Sequence, residues 1–248
     1  MADEIAYAIH GDDMQLVEIE LDPGEGVLAE TGAMCFMEDG IQMETSTGGG
    51  LLKGLKRAVT GSGFFITTFH NMGRNVSHVG FAAPYPGKIV PLDLGKLGGT
   101  FICQKDAFLC AAQGTDIDIA FTKRIGAGLF GGEGFILQRL TGSGLAFVHA
   151  GGTIIRKELR AGESLRVDTG CLVAMAPSVN YDVQFIGGFM NALFGGEGLF
   201  FVNLTGPGLV LLQSLPFSRL ADRILAGVKS NRDEKRGSVL NNLLGGDR

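Results

Sequence analysis

Glu133 and Glu197 each sit inside the same five-residue string, FGGEG, at 130–134 and 194–198. Two carboxylates repeated in this way could pair for acid–base work or hold a metal ion. A glycine-rich loop of this kind could also cradle a phosphate. A phosphate loop, however, needs a strand before it and a helix after it, so that the helix N-terminus faces the anion. Here GGEGFILQRL runs into β-branched and aromatic residues that read as a strand, and no GxxxxGK[ST] occurs. A residue copied together with its surroundings is expected to serve the copied unit. The two glutamates are therefore read as turn acceptors or solvent-facing groups.

The other reactive side chains lead to the same place. His70 and His78 bracket NMGRNVS, a hairpin connection, and could share a metal across facing strands. Tetrahedral zinc needs three or four ligands, though, and His10 and His149 fall near turns elsewhere. Cys110 in AFLCAAQ and Cys171 in TGCLVAM lie in apolar runs, which raise a thiol pKa and keep it inert. No GxSxG stands in a strand-to-helix context. The expectation is no catalytic residue, no metal and no cofactor.

What must position these groups is a chain of many short strands. Of 248 residues, 45% are hydrophobic and 19% charged, enough for a substantial core. Forty glycines without a Gly-X-Y period mean many tight turns rather than collagen. The net charge of −5 argues against a nucleic-acid partner, which favours a basic face. The N-terminus lacks a basic region followed by an apolar stretch, no apolar run is long enough to span a bilayer, and the four cysteines include no CxxC pair. These features lead to the expectation of a reduced, cytoplasmic protein.

Internal repetition organises the glycines. FGGEG recurs with an offset of 64, from Phe130 to Phe194, and LTG recurs with the same offset, from Leu140 to Leu204. The strings LDPGE, LDLGK and LRAGE begin at Leu21, Leu92 and Leu159, each after two short apolar strands. This alignment makes Tyr7, Phe81 and Phe147 equivalent, with Leu211 in a fourth copy of the first strand. IQMET, DIDIAF and YDVQF alternate apolar and polar residues, the period of a half-buried strand. One unit of 65–75 residues has too little surface to bury for stability alone, and three sharing a core remedy that.

The repeated FGGEG, the TGxG turns (TGSG at 60–63 and 141–144, TGPG at 205–208) and the exit LPFSRLADRI at 215–224 resemble the altered-inheritance-of-mitochondria, or mitochondrial biogenesis, family, over about 3–226. The resemblance implies a fold similar to the tryptophan RNA-binding attenuation protein: short antiparallel strands in compact double sheets, three times over in a pseudo-threefold arrangement. It brings no catalytic residues. The family's fungal relatives are linked to the organisation of the mitochondrial inner membrane, which suggests a membrane-associated scaffold.

The resulting expectation is an all-β domain over 1–216, with three tandem units at about 1–77, 78–144 and 145–216. An amphipathic helix follows at 217–230, with Ser218 as its N-cap, and a flexible tail at 231–248. The connectors place Leu51, Leu52, Leu55, Leu129, Phe130, Phe189, Met190, Leu193 and Phe194 in glycine-rich settings, beside Lys53, Lys56 and Arg57 in the first. Large apolar groups there are offered to a partner or tucked under a neighbour. The expectation is a non-catalytic scaffold forming a homo-oligomer, with a trimer as the guess and peripheral membrane contact as the second use. A small-molecule site or enzyme at a cavity between repeats, and an RNA-binding protein, are the rival readings.

Overall fold

A computed structural model describes residues 2–46, 66–123, 134–185, 200–225 and 227. Among the described residues the chain is all-β, with an α-helix at its C-terminal end. Its strands are β1 (Ala6–His10), β2 (Leu16–Leu21), β3 (Gly26–Glu30), β4 (Met34–Met37), β5 (Ile41–Ser46), β6 (Ile66–Asn71), β7 (Ser77–Ala82), β8 (Gly87–Asp93), β9 (Thr100–Gln104) and β10 (Phe108–Ala112). There follow β11 (Asp116–Lys123), β12 (Phe135–Thr141), β13 (Leu145–Gly151), β14 (Ile154–Leu159), β15 (Ser164–Asp168), β16 (Leu172–Met175), β17 (Asn180–Phe185), β18 (Phe200–Thr205) and β19 (Gly208–Gln213).

Four sheets result. The first runs β1-β2-β7-β4, the second β5-β6-β3-β10-β13-β8, the third β11-β12-β9-β16-β19-β14 and the fourth β15-β18-β17. One buried cluster joins the first sheet to the second through Val17, Ile19, Phe69, Phe81 and Phe147. Another joins the second to the third through Val148, Phe101, Phe108 and Leu140. The last joins the third to the fourth through Phe135, Leu137, Val202 and Leu204. The sheets therefore stack in order, with the middle two covered on both faces. This is why β10 (FLCAA) and β16 (LVAM) are buried at every position and apolar without alternation. The first sheet has one wet face. In β2, Val17, Ile19 and Leu21 point inward, while Glu18 and Glu20 point out. Each fully buried phenylalanine contributes about 2–3 kcal/mol of hydrophobic stabilisation.

The pairing scheme recurs with a step of six strands. β7 lies between β2 and β4, β13 between β8 and β10, and β19 between β14 and β16. β3 pairs with β6 as β9 does with β12 and β15 with β18. β3 also pairs with β10, and β9 with β16. A bulge recurs on the β4, β10 and β16 strands, between Met34 and Phe36, Phe108 and Cys110, and Leu172 and Ala174.

Register revises two equivalences drawn from the sequence strings. Gly24, Gly98 and Gly162, 74 and then 64 positions apart, all take positive φ (93°, 83° and 77°) in the turn before β3, β9 or β15. The middle member is Gly98, not Gly95 of LDLGK, because the second turn runs on through Gly99 before β9 begins. Tyr7 also stands apart from Phe81 and Phe147. It is 41% exposed, whereas both phenylalanines are fully buried. The physical reason is topological: β1 lies outside β2 at a sheet edge, while β7 and β13 are flanked on both sides.

The C-terminal helix starts at 217 and is described to 225. The Pro216 carbonyl accepts the amides of Arg219 and Leu220, so Ser218 lies inside the first turn rather than capping it. Pro216 cannot extend a helix backward, because it lacks an amide hydrogen and restricts Leu215 before it.

Candidate functional site

The nine connector residues named above fall in 47–65, 124–133 and 186–199, outside the described residues, as do Lys53, Lys56, Arg57, Glu133 and Glu197. What is described is the frame around them. The three connectors join β5 to β6, β11 to β12 and β17 to β18, each an antiparallel neighbouring pair.

The described surface offers a different feature, at the two ends of the stack. β4 pairs with β7 on one side, and no described strand lies on its other side. β15 likewise pairs only with β18 among the described strands. On β4, Phe36 and Met37 are 39% and 42% exposed. At the same register positions Cys110 and Ala111 on β10, and Ala174 and Met175 on β16, are buried. The Phe36 ring lies over Gly80, filling the space a side chain there would occupy. The sequence signal was the string MCFM, too apolar for a solvated edge, but without pairing partners nothing marked it as an edge.

The wet face of the first sheet carries imidazole–carboxylate pairs. His78 donates from Nδ1 to Glu38 Oε2 at 3.0 Å, and its backbone amide donates to the same oxygen at 2.8 Å. Glu20 lies 3.7 Å from Nε2. The hydrogen bond with Glu38 raises the His78 pKa above its ordinary value and lowers that of Glu38. His10 Nε2 donates to Glu18 at 2.7 Å. His70 lies on β6 in the second sheet and does not join His78. Among the described residues, no three His, Cys, Asp or Glu side chains converge as a metal site would require.

A cavity of about 160 Å³ opens where the chain leaves β7, β13 and β19, lined by Tyr85, His149 and Phe217 among others. Tyr85 meets His149 edge to face at 4.6 Å and Phe217 at 5.4 Å. His149 is 2% exposed. Burial pulls its pKa down to about 4, so it is a neutral imidazole near pH 7. It is hydrogen-bonded to the Tyr85 backbone, and its Nδ1 has no protein partner. Burial likewise pushes the Tyr85 hydroxyl up. A second, larger cavity of about 530 Å³ lies beside Tyr7, Asp93 and Ser143, where the Lys96 ammonium is held 2.7 Å from Asp93. The thiols of Cys103 and Cys110 are fully buried and shifted upward by desolvation, as unreactive cysteines are. The Tyr85–His149 meeting went unread in the sequence, since the two residues are 64 positions apart in strings with no motif.

No described helix is long and apolar enough to cross a membrane. A protein of Streptococcus pyogenes serotype M6, itself uncharacterized, is 30% identical over 215 residues, covering 83% of this chain and 84% of that one. The crystal structure of a Streptococcus pyogenes protein superposes with a TM-score of 0.74 at 24% identity, over 90% of this chain and 99% of that one, which shows a shared fold. A family profile described as mitochondrial biogenesis AIM24 matches residues 7–215. With the profile spanning nearly all of the described strands, the chain belongs to the mitochondrial biogenesis AIM24 family.

Proposed function

We propose that this protein is a non-catalytic assembly unit that works by presenting surfaces to further copies of itself. Its body is three tandem copies of one six-strand module plus a closing strand, in an arrangement similar to the tryptophan RNA-binding attenuation protein. The six-strand step in the pairing scheme and the recurrent turn glycines support the copying. The observation that carries the assembly reading is β4. Its Phe36 and Met37 stand exposed where the matching residues of β10 and β16 are buried under a neighbouring strand. Edge strands with exposed apolar side chains and unpaired amides are templates for another strand. The connector residues Leu51, Leu52, Leu55, Leu129, Phe130, Phe189, Met190, Leu193 and Phe194 serve as further apolar contacts to a subunit or a membrane surface. None of the four cysteines is in a disulfide, which suits a reducing compartment such as the cytoplasm.

Sedimentation velocity of the full chain tests this reading. Wild type sediments as an assembly, and Phe36→Asp shifts it toward the monomer. A wild type that remains monomeric across the accessible concentration range removes it.

A second reading, a site for a small molecule at the Tyr85–His149–Phe217 cavity, has one observation in its favour, the buried imidazole nitrogen without a partner. At about 160 Å³ the cavity is smaller than the roughly 300–1,000 Å³ typical of ligand pockets, and so ranks second.

A further inference from the structure

The two open edges are the two halves of a pairing that the chain makes twice inside itself. In the second sheet, β10 pairs with β3, the strand that opens the preceding set; in the third, β16 pairs with β9 in the same way. β4 is the strand equivalent to β10 and β16, and it has no preceding partner among the described residues. β15 is the strand equivalent to β3 and β9, and it has no following one among the described residues. Joined, the first and fourth sheets would run β1-β2-β7-β4-β15-β18-β17, in which β2-β7-β4-β15-β18-β17 follow the extra edge strand β1. Those six stand in the order of the second sheet read from its β8 end and of the third read from its β14 end.

Resting on the assembly reading above, we infer that β15 of one copy pairs antiparallel with β4 of the next, head to tail, completing a seven-stranded sheet between two molecules, six of whose strands repeat the internal order. The internal pairs set the register. Cys110 lies opposite Ala29 and Ala111 opposite Leu28; Ala174 lies opposite Cys103 and Met175 opposite Ile102. Carried over by the recurrent bulge and turn positions, Phe36 comes opposite Val167 and Met37 opposite Arg166. An independent feature agrees with this register: the direction each side chain faces. Cys110 and Ala29 both point toward the preceding sheet, as do Ala174 and Cys103. Val167 points toward the third sheet, which precedes its own. Phe36, stacked over Gly80, points away from the core that the first sheet shares with the second, to the side where a preceding sheet would lie. A slip of one residue would put Phe36 and Val167 on opposite faces. The contact is heterologous, since different surfaces meet, so copies add one after another, into a ring where the rotation closes and a filament where it does not.

The test uses the full chain with Cys35, the exposed native thiol, changed to serine. Met37→Cys and Arg166→Cys are prepared as separate proteins, each checked by thermal melting against the parent; both positions are exposed. Mixed one to one and oxidised, they form a covalent heterodimer. The yield is about tenfold above that of either variant oxidised alone, and above that of Met37→Cys mixed with Ser164→Cys, which is two residues out of register. The double variant gives a ladder whose longest rung counts the copies. Three results overturn the inference: Met37→Cys cross-linking to itself as well as it does to Arg166→Cys, a double variant locked within one chain, or no cross-link at all. Sedimentation of the wild type separates the two levels of failure. An assembled wild type without the mixed cross-link removes the head-to-tail pairing alone, whereas a monomer removes the assembly reading beneath it.

Discussion

His149 makes acidification costly to the fold, and the cost can be worked out. Its ordinary pKa is 6.5, and burial beside Tyr85 holds it at about 4 in the folded protein. Because the folded value lies below the unfolded one, the unfolded chain takes up the proton first. Stability from this residue is complete above about pH 6.5 and drains away as the pH falls toward 4. Between pH 7 and pH 5 the unfolded state gains about 2 kcal/mol from protonating this histidine, while the folded state gains almost nothing. By pH 4 the loss approaches about 3 kcal/mol. The perturbation is His149→Gln, which removes the titration and keeps an amide able to donate to the Tyr85 carbonyl. Urea unfolding of both proteins at pH 7 and pH 5 is the assay. The carboxylates titrate alike in both, so they cancel in the difference. Wild type should lose about 2 kcal/mol more than the variant over that range. An equal loss in the two proteins would refute the reasoning, because it would mean that His149 protonates in place or that water reaches Nδ1.

Other consequences follow from particular residues. Glu38→Gln replaces the charged acceptor of the His78 imidazolium with a neutral amide oxygen, so the His78 pKa should fall toward 6.5; an NMR titration of the ring protons that shows no change contradicts the pairing. In the wild type the His78–Glu38 pair supports the fold most fully between the two pKa values. Its contribution fades as the pH rises past the elevated histidine value or drops past the depressed carboxylate value. Gly24→Ala, Gly98→Ala and Gly162→Ala each force an L residue into positive φ with open space around it. Each should cost about 1 kcal/mol in chemical denaturation, and a cost confined to one of the three would break their equivalence. Gly87→Ala drives a methyl into the Ala150 carbonyl and the His149 ring. It should destabilise by about 2 kcal/mol; a variant as stable as wild type would show that β8 and β13 are not this close.

Much of this protein was legible in the chain because its determinants are local. The alternation in LVEIEL and NYDVQF places those strands on sheets with one wet face, and the unbroken apolar run AFLCAA marks a strand covered on both sides. The strings FGGEG and LTG recur with an offset of 64, and the turn glycines 98 and 162 stand the same distance apart. Only the tertiary structure could decide matters that depend on partners far along the chain. Whether a strand lies inside a sheet or at its edge is set by β3 meeting β10 about 80 residues later, a separation over which no local pattern reports. That is why Phe36 and Cys110 read alike as apolar strand residues, yet one is open to solvent and the other sealed. It is also why Tyr7 left its expected place, and why His149, an ordinary turn-side histidine by sequence, became a neutral buried base beside Tyr85. Local sequence sets which face of a strand is apolar; burial, and with it pKa and surface, depends on what the fold brings to that face.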